Sequence, residues 1–268
     1  MKYIRFLSLL LSLCLLAGCS IVPFQTPEEQ RAAQETAEAL KREAQAQADP
    51  FTALESEFIL KRTLTNSAGA TLASYEVSFP RFSEDGEKAK SFARINDYYQ
   101  NEITGLTQDA YSFFGEVKKA YGEEWDTVTA PDKAFSIRIG YELLEAPEGY
   151  LSVRCDFRLE ENGQVETYSQ AQVFLLDNGW QLTLEALFGT QYETAAPKLM
   201  ASILAWCNNN GISVTGAEGR TIEEFSGNYA LTTEGFLFYT EPFQLNNKNA
   251  NRYTIPVSRS GYRSVLED

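Results

Sequence analysis

Acidic side chains are the first candidates for chemistry in this sequence. They form two clusters, one of Glu123, Glu124 and Asp126 and one of Glu223 and Glu224. Hydrolysis of a glycosidic bond needs only two carboxyl groups about 5–9 Å apart. Neighbouring acids in a loop are far more often solvated surface groups, so the sequence predicts no catalytic residue.

Histidine is absent from all 268 residues. This excludes Ser-His-Asp and Cys-His catalysis as well as histidine zinc sites. The run Asn247–Asn251 offers alternating side-chain oxygens but no carboxylate, and a DxDxDG calcium loop is missing. We therefore expect neither a metal nor a cofactor.

The first nineteen residues, MKYIRFLSLLLSLCLLAGC, differ from the rest of the chain. Lys2 and Arg5 precede the apolar run Phe6–Leu16, and two small residues follow. This is the order of a secretory signal, and the apolar run is short for a membrane span. The segment Leu16-Ala17-Gly18-Cys19 resembles the bacterial lipoprotein signal. The resemblance implies that residues 1–19 act as a signal and that Cys19 carries a diacylglycerol.

The chain is strongly acidic, with a net charge of −14. Residues 1–19 contain two of the 23 basic residues and none of the 37 acidic ones, so the remainder carries −16. Such a charge repels phosphate backbones. Nucleic acid is therefore not expected as a partner.

Two further cysteines, Cys155 and Cys207, lie in the part that would be exported. An exported compartment permits a disulfide between them, and both positions also suit buried free thiols. The sequence leaves these two alternatives open, as it does the oligomeric state.

Residues 20–50 read as a polar spacer. Thr26, Pro27 and Glu29 form a helix start with a capping box, but Leu40 is the only large apolar residue in the helix that follows. A helix without an apolar face has nothing to bury. We expect a partly helical, solvated segment between the membrane and a folded part that covers 51–268.

The first part of the fold, 51–145, is predicted as a hairpin and a long helix. Phe58, Leu60 and Leu64 alternate with polar residues, as do Tyr75, Val77 and Phe79, and Ser67–Gly69 supplies the turn. From about residue 86 to 121 the apolar residues recur every three or four positions, which predicts one helix or two joined near Gly105.

A strand at 135–143 ends this first part, and the second part, 146–268, continues with strands and one more helix. Alternating residues at 135–143 and 151–159, with turns at Asn162-Gly163 and Asn178-Gly179, predict an antiparallel meander over 135–184 that is apolar on one face and charged on the other. A helix over 193–209 and strands near 225–231, 236–245 and 252–257 follow. The fold class expected is α+β, an antiparallel sheet with helices packed on one face.

Several ordered segments resemble a known family. WQLTLEALF at 180–188, YALTTEGFLFYTEPFQL at 229–245 and YTIPVS at 253–258 are similar to the extracellular domain of the anti-sigma factor RsiV. YEVSFPRF and the helix with Ile95-Asn96 are similar to the N-terminal domain of PdaC-type proteins. The family's transmembrane helix and sigma-binding segment are missing here, and its Gly-Ala-His element and apolar, tyrosine-containing loop are replaced by TYSQAQ and NNKNAN.

The resemblance implies an extracytoplasmic α+β domain without catalysis of its own. We expect a lipoprotein anchored to the outer face of the bacterial cytoplasmic membrane, which binds or senses an envelope protein or a wall-derived ligand. Lysozyme binding does not carry over, and no ligand-binding residue is assigned. Two alternatives remain: a carboxylate-dependent envelope hydrolase and a structural spacer.

Overall fold

The computed structural model describes residues 49–133 and 135–259. The predicted signal 1–19, Cys19 and all but the last two residues of the predicted spacer 20–50 lie outside these residues. The chain divides into residues 1–46 and a larger unit, 47–268, to which everything below refers. In the described ranges, no helix combines the length and hydropathy that a membrane crossing requires.

The α+β prediction is confirmed. The helices and strands follow in the order α1 (Pro50–Ala53), β1 (Leu54–Thr65), β2 (Thr71–Phe82), α2 (Ala89–Tyr121), β3 (Phe135–Leu144), β4 (Tyr150–Glu161), β5 (Gln164–Leu175), α3 (Leu184–Phe188), α4 (Tyr192–Asn209), β6 (Tyr229–Thr232), β7 (Gly235–Tyr239) and β8 (Thr254–Ser258). The predicted division of the folded part between residues 145 and 146 stays a prediction.

A five-stranded sheet in the order β1-β2-β3-β4-β5 forms the first layer of strands. The hairpin β1–β2 and the meander β3–β5 are antiparallel, as predicted. β2 and β3 differ, because they pair in parallel with Ala73 beside Phe135. Parallel neighbours need a crossover connection, and the 33-residue helix α2 provides it.

Helix α2 runs unbroken through Gly105 and covers the apolar face of this sheet. Phe92, Ile95 and Tyr99 are no more than 1% exposed and pack against the strands. A glycine inside a helix costs only about 1 kcal/mol. The contacts of this apolar face with the strands offset that cost, so the segments before and after Gly105 form one helix.

The C-terminal strands form a second, three-stranded antiparallel sheet in the order β6-β7-β8. The predicted bounds of two strands were too long. Ile222–Phe225 is a 3-10 helix, so β6 begins only at Tyr229. β7 ends at Tyr239, before Pro242, which has no backbone N–H to donate to a ladder.

Strand β7 is buried on both faces, which shows how the layers are arranged. Phe236 and Phe238 belong to the hydrophobic cluster that includes α3 and α4. Tyr239 and Leu237 pack on the other side, with Ala171 and Leu144 of the first sheet. The layers therefore run helix, sheet, sheet, helix, so each sheet has helices on one face and the other sheet against part of its second face.

The two cysteines occupy different parts of this core. Cys155 lies in the cluster between the first sheet and α2, and Cys207 in the cluster between the second sheet and α4. Both are buried free thiols. In this structure, therefore, no disulfide joins them. Burial raises the pKa of Cys155 to about 12 and also raises that of Cys207, so both remain protonated at neutral pH.

Candidate ligand-binding cleft

The acidic cluster near residue 123 does not form a catalytic pair. Asp126 closes the β1–β2 turn, where it accepts hydrogen bonds from the backbone N–H of Ser67 at 2.9 Å and from its hydroxyl at 2.8 Å. These bonds, the backbone one first, lower the pKa of Asp126. Glu123 and Glu124 are exposed side chains of a short 3-10 helix.

The second acidic pair is also taken up by local structure. Glu224 pairs with Arg220 and accepts a hydrogen bond from the N–H of Thr221, which completes a capping box. Glu223 accepts a hydrogen bond from the Tyr192 hydroxyl at 2.8 Å. Glu223 and Glu224 therefore have separate partners and do not face each other across a cleft.

The polar loop 246–251 supports a tyrosine. The side-chain amides of Asn249 and Asn251 approach the Tyr253 hydroxyl at 3.4 and 3.3 Å as donors. Among the described residues, no three metal-ligating side chains come together. In this structure the loop thus helps to orient the Tyr253 side chain through these hydrogen bonds.

Tyr253 belongs to the wall of an open cleft of about 510 Å³, here called the arginine cleft. A volume of this size lies within the range of small-molecule sites. The cleft lies at the end of β7 and the start of β8, next to strands β3, β4 and β5 of the first sheet. Its lining consists of Arg138, Gly140, Asp156, Phe157, Arg158, Thr167, Tyr168, Ser169, Tyr239, Thr240, Arg252, Tyr253 and Thr254.

The floor of the arginine cleft belongs to the face of the first sheet that the sequence predicts as charged. Arg138 on β3 lies directly opposite Arg158 on β4, and Gly140 lies opposite Asp156. Residues directly opposite each other have Cβ atoms about 4.5–5.5 Å apart, and like charges there are destabilising. Gly140 has no side chain, so the part of the floor opposite Asp156 is open, and a Cβ at Gly140 would meet no atom within 4 Å.

Asp156, the one carboxylate of the lining, is already paired. It accepts a hydrogen bond from the Ser169 hydroxyl at 2.6 Å and forms an ion pair with Arg154 at 3.0 Å. Partial burial lowers the pKa of Arg154, but Asp156 and Glu142 outweigh that effect and raise it. The acceptors of the floor are therefore satisfied within the protein.

Arg252 forms one wall and is held from three sides. Its guanidinium lies 3.7 Å from the centre of the Tyr168 ring, and it pairs with Glu166 at 3.1 Å and Glu241 at 3.5 Å. The Tyr168 ring stacks in turn on Phe157, with centroids 4.5 Å apart. This layered arrangement fixes the guanidinium where it is.

Tyr239, at the end of β7, forms the roof. Its side chain is 4% exposed, and burial raises its pKa although the nearby Arg154 opposes the shift. The phenol is therefore neutral at neutral pH and keeps its proton. The pairs Thr240 N–H to Tyr253 carbonyl at 2.9 Å and Tyr253 N–H to Thr240 hydroxyl at 2.7 Å hold this end of the sheet together.

Unpartnered buried groups gather at this place. In the described part of the chain, four buried side-chain atoms lack a hydrogen-bond partner. Tyr99 Oη lies in the core, but the Tyr239 hydroxyl and Arg252 Nε belong to residues that line the arginine cleft. Asn228 Nδ2 lines an adjoining pocket of about 280 Å³ that shares Tyr239. Buried polar groups are normally hydrogen-bonded, so the two such atoms that belong to the arginine cleft make it a candidate site for an acceptor.

The sequence did not single out these residues as a site. Arg138 and Arg158 alternate with the apolar residues of β3 and β4 and so belong to the charged face of the first sheet. The strand register that sets them opposite each other follows from the pairing of β3 with β4. Tyr239 and Arg252 belong to a different sheet, and no local pattern links them to the first. Only the packing of the two sheets brings the four together.

Comparisons with known proteins identify the fold. No protein-family model matches the chain, and no curated protein matches it. It is similar to the crystal structure of a member of the DUF3298 family from Bacteroides fragilis NCTC 9343, at 13% identity over 81% of this chain and 94% of that one, with a TM-score of 0.51. A DUF3298 family protein from Pseudomonas aeruginosa PAO1 is similar at 11% identity over 82% and 95%, with a TM-score of 0.50. At such identities the likeness concerns the fold alone.

Proposed function

We propose that this protein is an exported, lipid-anchored binding module without catalytic activity, related to the RsiV extracellular domain, whose ligand site is the arginine cleft. The lipoprotein-type sequence ending at Cys19 supports the anchor. The ligand would be an envelope protein or a wall-derived molecule. Membrane attachment and ligand binding have separate tests.

The observation that carries the binding function is the set of unpartnered donors at the cleft. The Tyr239 hydroxyl and Arg252 Nε are buried and have no partner in the described part of the chain. A buried donor without an acceptor costs about 1–3 kcal/mol of stability. A ligand that brings acceptors removes this cost on binding, which gives the cleft a physical reason to bind.

Binding is favoured over hydrolysis because the acids have other roles. Asp126, Glu223 and Glu224 each stabilise a turn or a helix end through named partners. The cleft itself contains one carboxylate, Asp156, and hydrolysis of a glycosidic bond uses two.

Blocking the cleft without changing its charge tests the binding function. In Gly140→Leu the added side chain enters open space on an ordinary strand backbone, so the fold should be retained. We expect the soluble chain 20–268 to bind one fraction of the isolated envelope, wall polymer or detergent-extracted protein, and the variant to lose at least about nine-tenths of that binding. Co-sedimentation and affinity capture measure this.

Gly105→Leu is the matched control, since Gly105 is exposed on α2 with equally open surroundings. It should bind like the unmodified chain. Equal binding by all three proteins would place the site elsewhere, and no binding by any would support the structural-spacer alternative. Release of soluble fragments from wall polymer would establish the hydrolase alternative.

The anchor is tested by Cys19→Ser in the full-length chain. Each buried CH₂ group contributes about 0.8 kcal/mol to membrane attachment, so loss of the acyl chains should release the protein from the membrane fraction. Incorporation of a labelled fatty acid should disappear as well. Cys14→Ser, within the apolar run, is the control and should leave both unchanged; a Cys19→Ser protein that stays labelled would contradict the anchor.

A further inference from the structure

We propose that the arginine cleft binds a carboxylate group of its ligand, between the Arg138–Arg158 pair on the floor and the Tyr239 and Arg252 donors above it. This inference rests on the proposed function, because it takes the cleft to be the ligand site. It adds the chemical class of the group that is recognised.

Two buried side-chain donors of the cleft have no acceptor within the described part of the chain. Arg252 Nε and the Tyr239 hydroxyl proton have no acceptor among the described residues. Arg154 lies near the Tyr239 hydroxyl, but a guanidinium can only donate, so the phenol proton stays unused. Asp156 is occupied by Arg154 and Ser169. A ligand group that accepts hydrogen bonds would therefore satisfy these two donors.

The floor adds two guanidinium groups in register. Arg138 approaches Glu76 at 3.3 Å through Nε, and Arg158 approaches Glu160 at 3.7 Å through Nη2. Each guanidinium has five N–H donors, and one neighbouring carboxylate leaves most of them free. Because like charges directly opposite each other repel, an anion between Arg138 and Arg158 would relieve an unfavourable contact.

The wall keeps its donor in place. The two terminal nitrogens of Arg252 pair with Glu166 and Glu241, and the guanidinium plane rests on the Tyr168 ring. Nε therefore cannot turn towards another acceptor without breaking these contacts. The arrangement is pre-organised, so little side-chain freedom is lost when a ligand binds.

A carboxylate matches these donors better than other acceptors. It is planar and offers two oxygens with the spacing of a guanidinium fork. A doubly charged phosphate would come close to Asp156 on the floor and would enter a protein of net charge −14. Each of the three arginines also has a glutamate beside it, so a single negative charge meets less repulsion at the cleft than a double one.

Pairs of small probes that differ in one group test the inference on the soluble chain 20–268. N-acetylglutamate α-amide and N-acetylglutamine α-amide differ only in the side-chain carboxylate, and glucuronate and glucose give the same comparison on a sugar. We expect at least one acid to bind about tenfold or more tightly than its neutral counterpart, since hydrogen bonds to charged groups are the stronger ones. Isothermal titration calorimetry measures this, and the pair that shows the difference identifies a peptide or a sugar source.

Two variants locate the site. Tyr239→Phe removes a hydroxyl that has no acceptor and lies beside the Arg154 guanidinium, so the free energy of unfolding should change little. Arg158→Gln removes one side of the floor. Each should weaken binding of the preferred acid about fivefold or more, because each removes a hydrogen bond to a charged group. Arg62→Gln is the control, since Arg62 is an exposed arginine of β1 that, among the described residues, donates to the carbonyl of its neighbour Lys61 and lies outside the cleft.

The outcomes separate this inference from the proposed function. Equal binding of acid and neutral probes, no binding of any probe, or tighter binding of inorganic phosphate would overturn the carboxylate assignment. Acid binding that Tyr239→Phe and Arg158→Gln leave unchanged would overturn the location. If Gly140→Leu abolishes envelope binding while the probes show no acid preference, the binding function stands and this inference alone fails.

Discussion

Replacing Gly235 with alanine is expected to lower the free energy of unfolding by more than about 3 kcal/mol. Gly235 opens β7 with a φ of +147°, a conformation that side chains disfavour. A Cβ at this position would lie 2.1 Å from the carbonyl oxygen of Val257 and 2.9 Å from the N–H of Arg259. Both contacts are with backbone, so the two strands must separate to make room.

The Gly235→Ala substitution should also weaken ligand binding at the arginine cleft. β7 and β8 pair from Gly235 and Ser258 at one end to Tyr239 and Thr254 at the other. A displaced strand start weakens the whole ladder, which also carries Tyr239 to the roof of the arginine cleft. We expect weaker ligand binding in addition to lower stability.

Gly211→Ala provides the comparison. Gly211 also has a positive φ, +67°, but a Cβ there would meet no atom within 4 Å. Gly211→Ala should lower the free energy of unfolding by only about 1 kcal/mol, because alanine disfavours a positive φ. Urea unfolding of the three proteins, followed by circular dichroism, measures both changes. Similar losses in the two variants would show that the close approach at Gly235 does not matter.

Replacing Asn96 with alanine should cost about 2–4 kcal/mol, because it leaves two buried backbone groups without partners. Asn96 is 4% exposed on α2. Its Oδ1 accepts a hydrogen bond from Phe82 N–H at 2.9 Å, and its Nδ2 donates to Phe82 carbonyl at 2.8 Å. Phe82, at the end of β2, is fully buried and stacks on Phe92 with ring centroids 5.2 Å apart.

This pair of hydrogen bonds joins the crossover helix to the strand that precedes it. Asn101→Ala, on the exposed side of the same helix, is the control and should change the free energy of unfolding by no more than about 0.5 kcal/mol. Thermal or urea unfolding distinguishes the two. An Asn96→Ala protein as stable as the control would mean that water replaces the lost amide at Phe82.

Much of the fold follows from local patterns. The alternation of Phe58, Leu60 and Leu64 predicted β1, and the three-and-four spacing around Phe92 and Ile95 predicted α2, because these periods reflect one buried face. The parallel pairing of β2 with β3 could not be read in the same way. It depends on where α2 returns the chain, and the residues of the two strands do not encode this locally.

The aromatic segment GFLFY at 235–239 shows the same limit. Its apolar residues fall on both faces of a strand, which is typical of a strand covered on both sides, and the structure has Phe236 and Phe238 against the helices and Tyr239 against the first sheet. The sequence could not say that Tyr239 would end above Arg138 and Arg158, since these residues are about a hundred positions apart along the chain.

By itself, the sequence determined that the chain is acidic and lacks histidine, and it predicted the α+β fold class and most of the secondary structure. These properties depend on residue types and short periods, which are local. The tertiary structure alone decided that Cys155 and Cys207 are separate thiols and that the second sheet covers part of the charged face of the first. It also decided where the cleft lies, because a site made from β3, β4 and β5 of the first sheet and the ends of β7 and β8 in the second exists only once distant strands pack together.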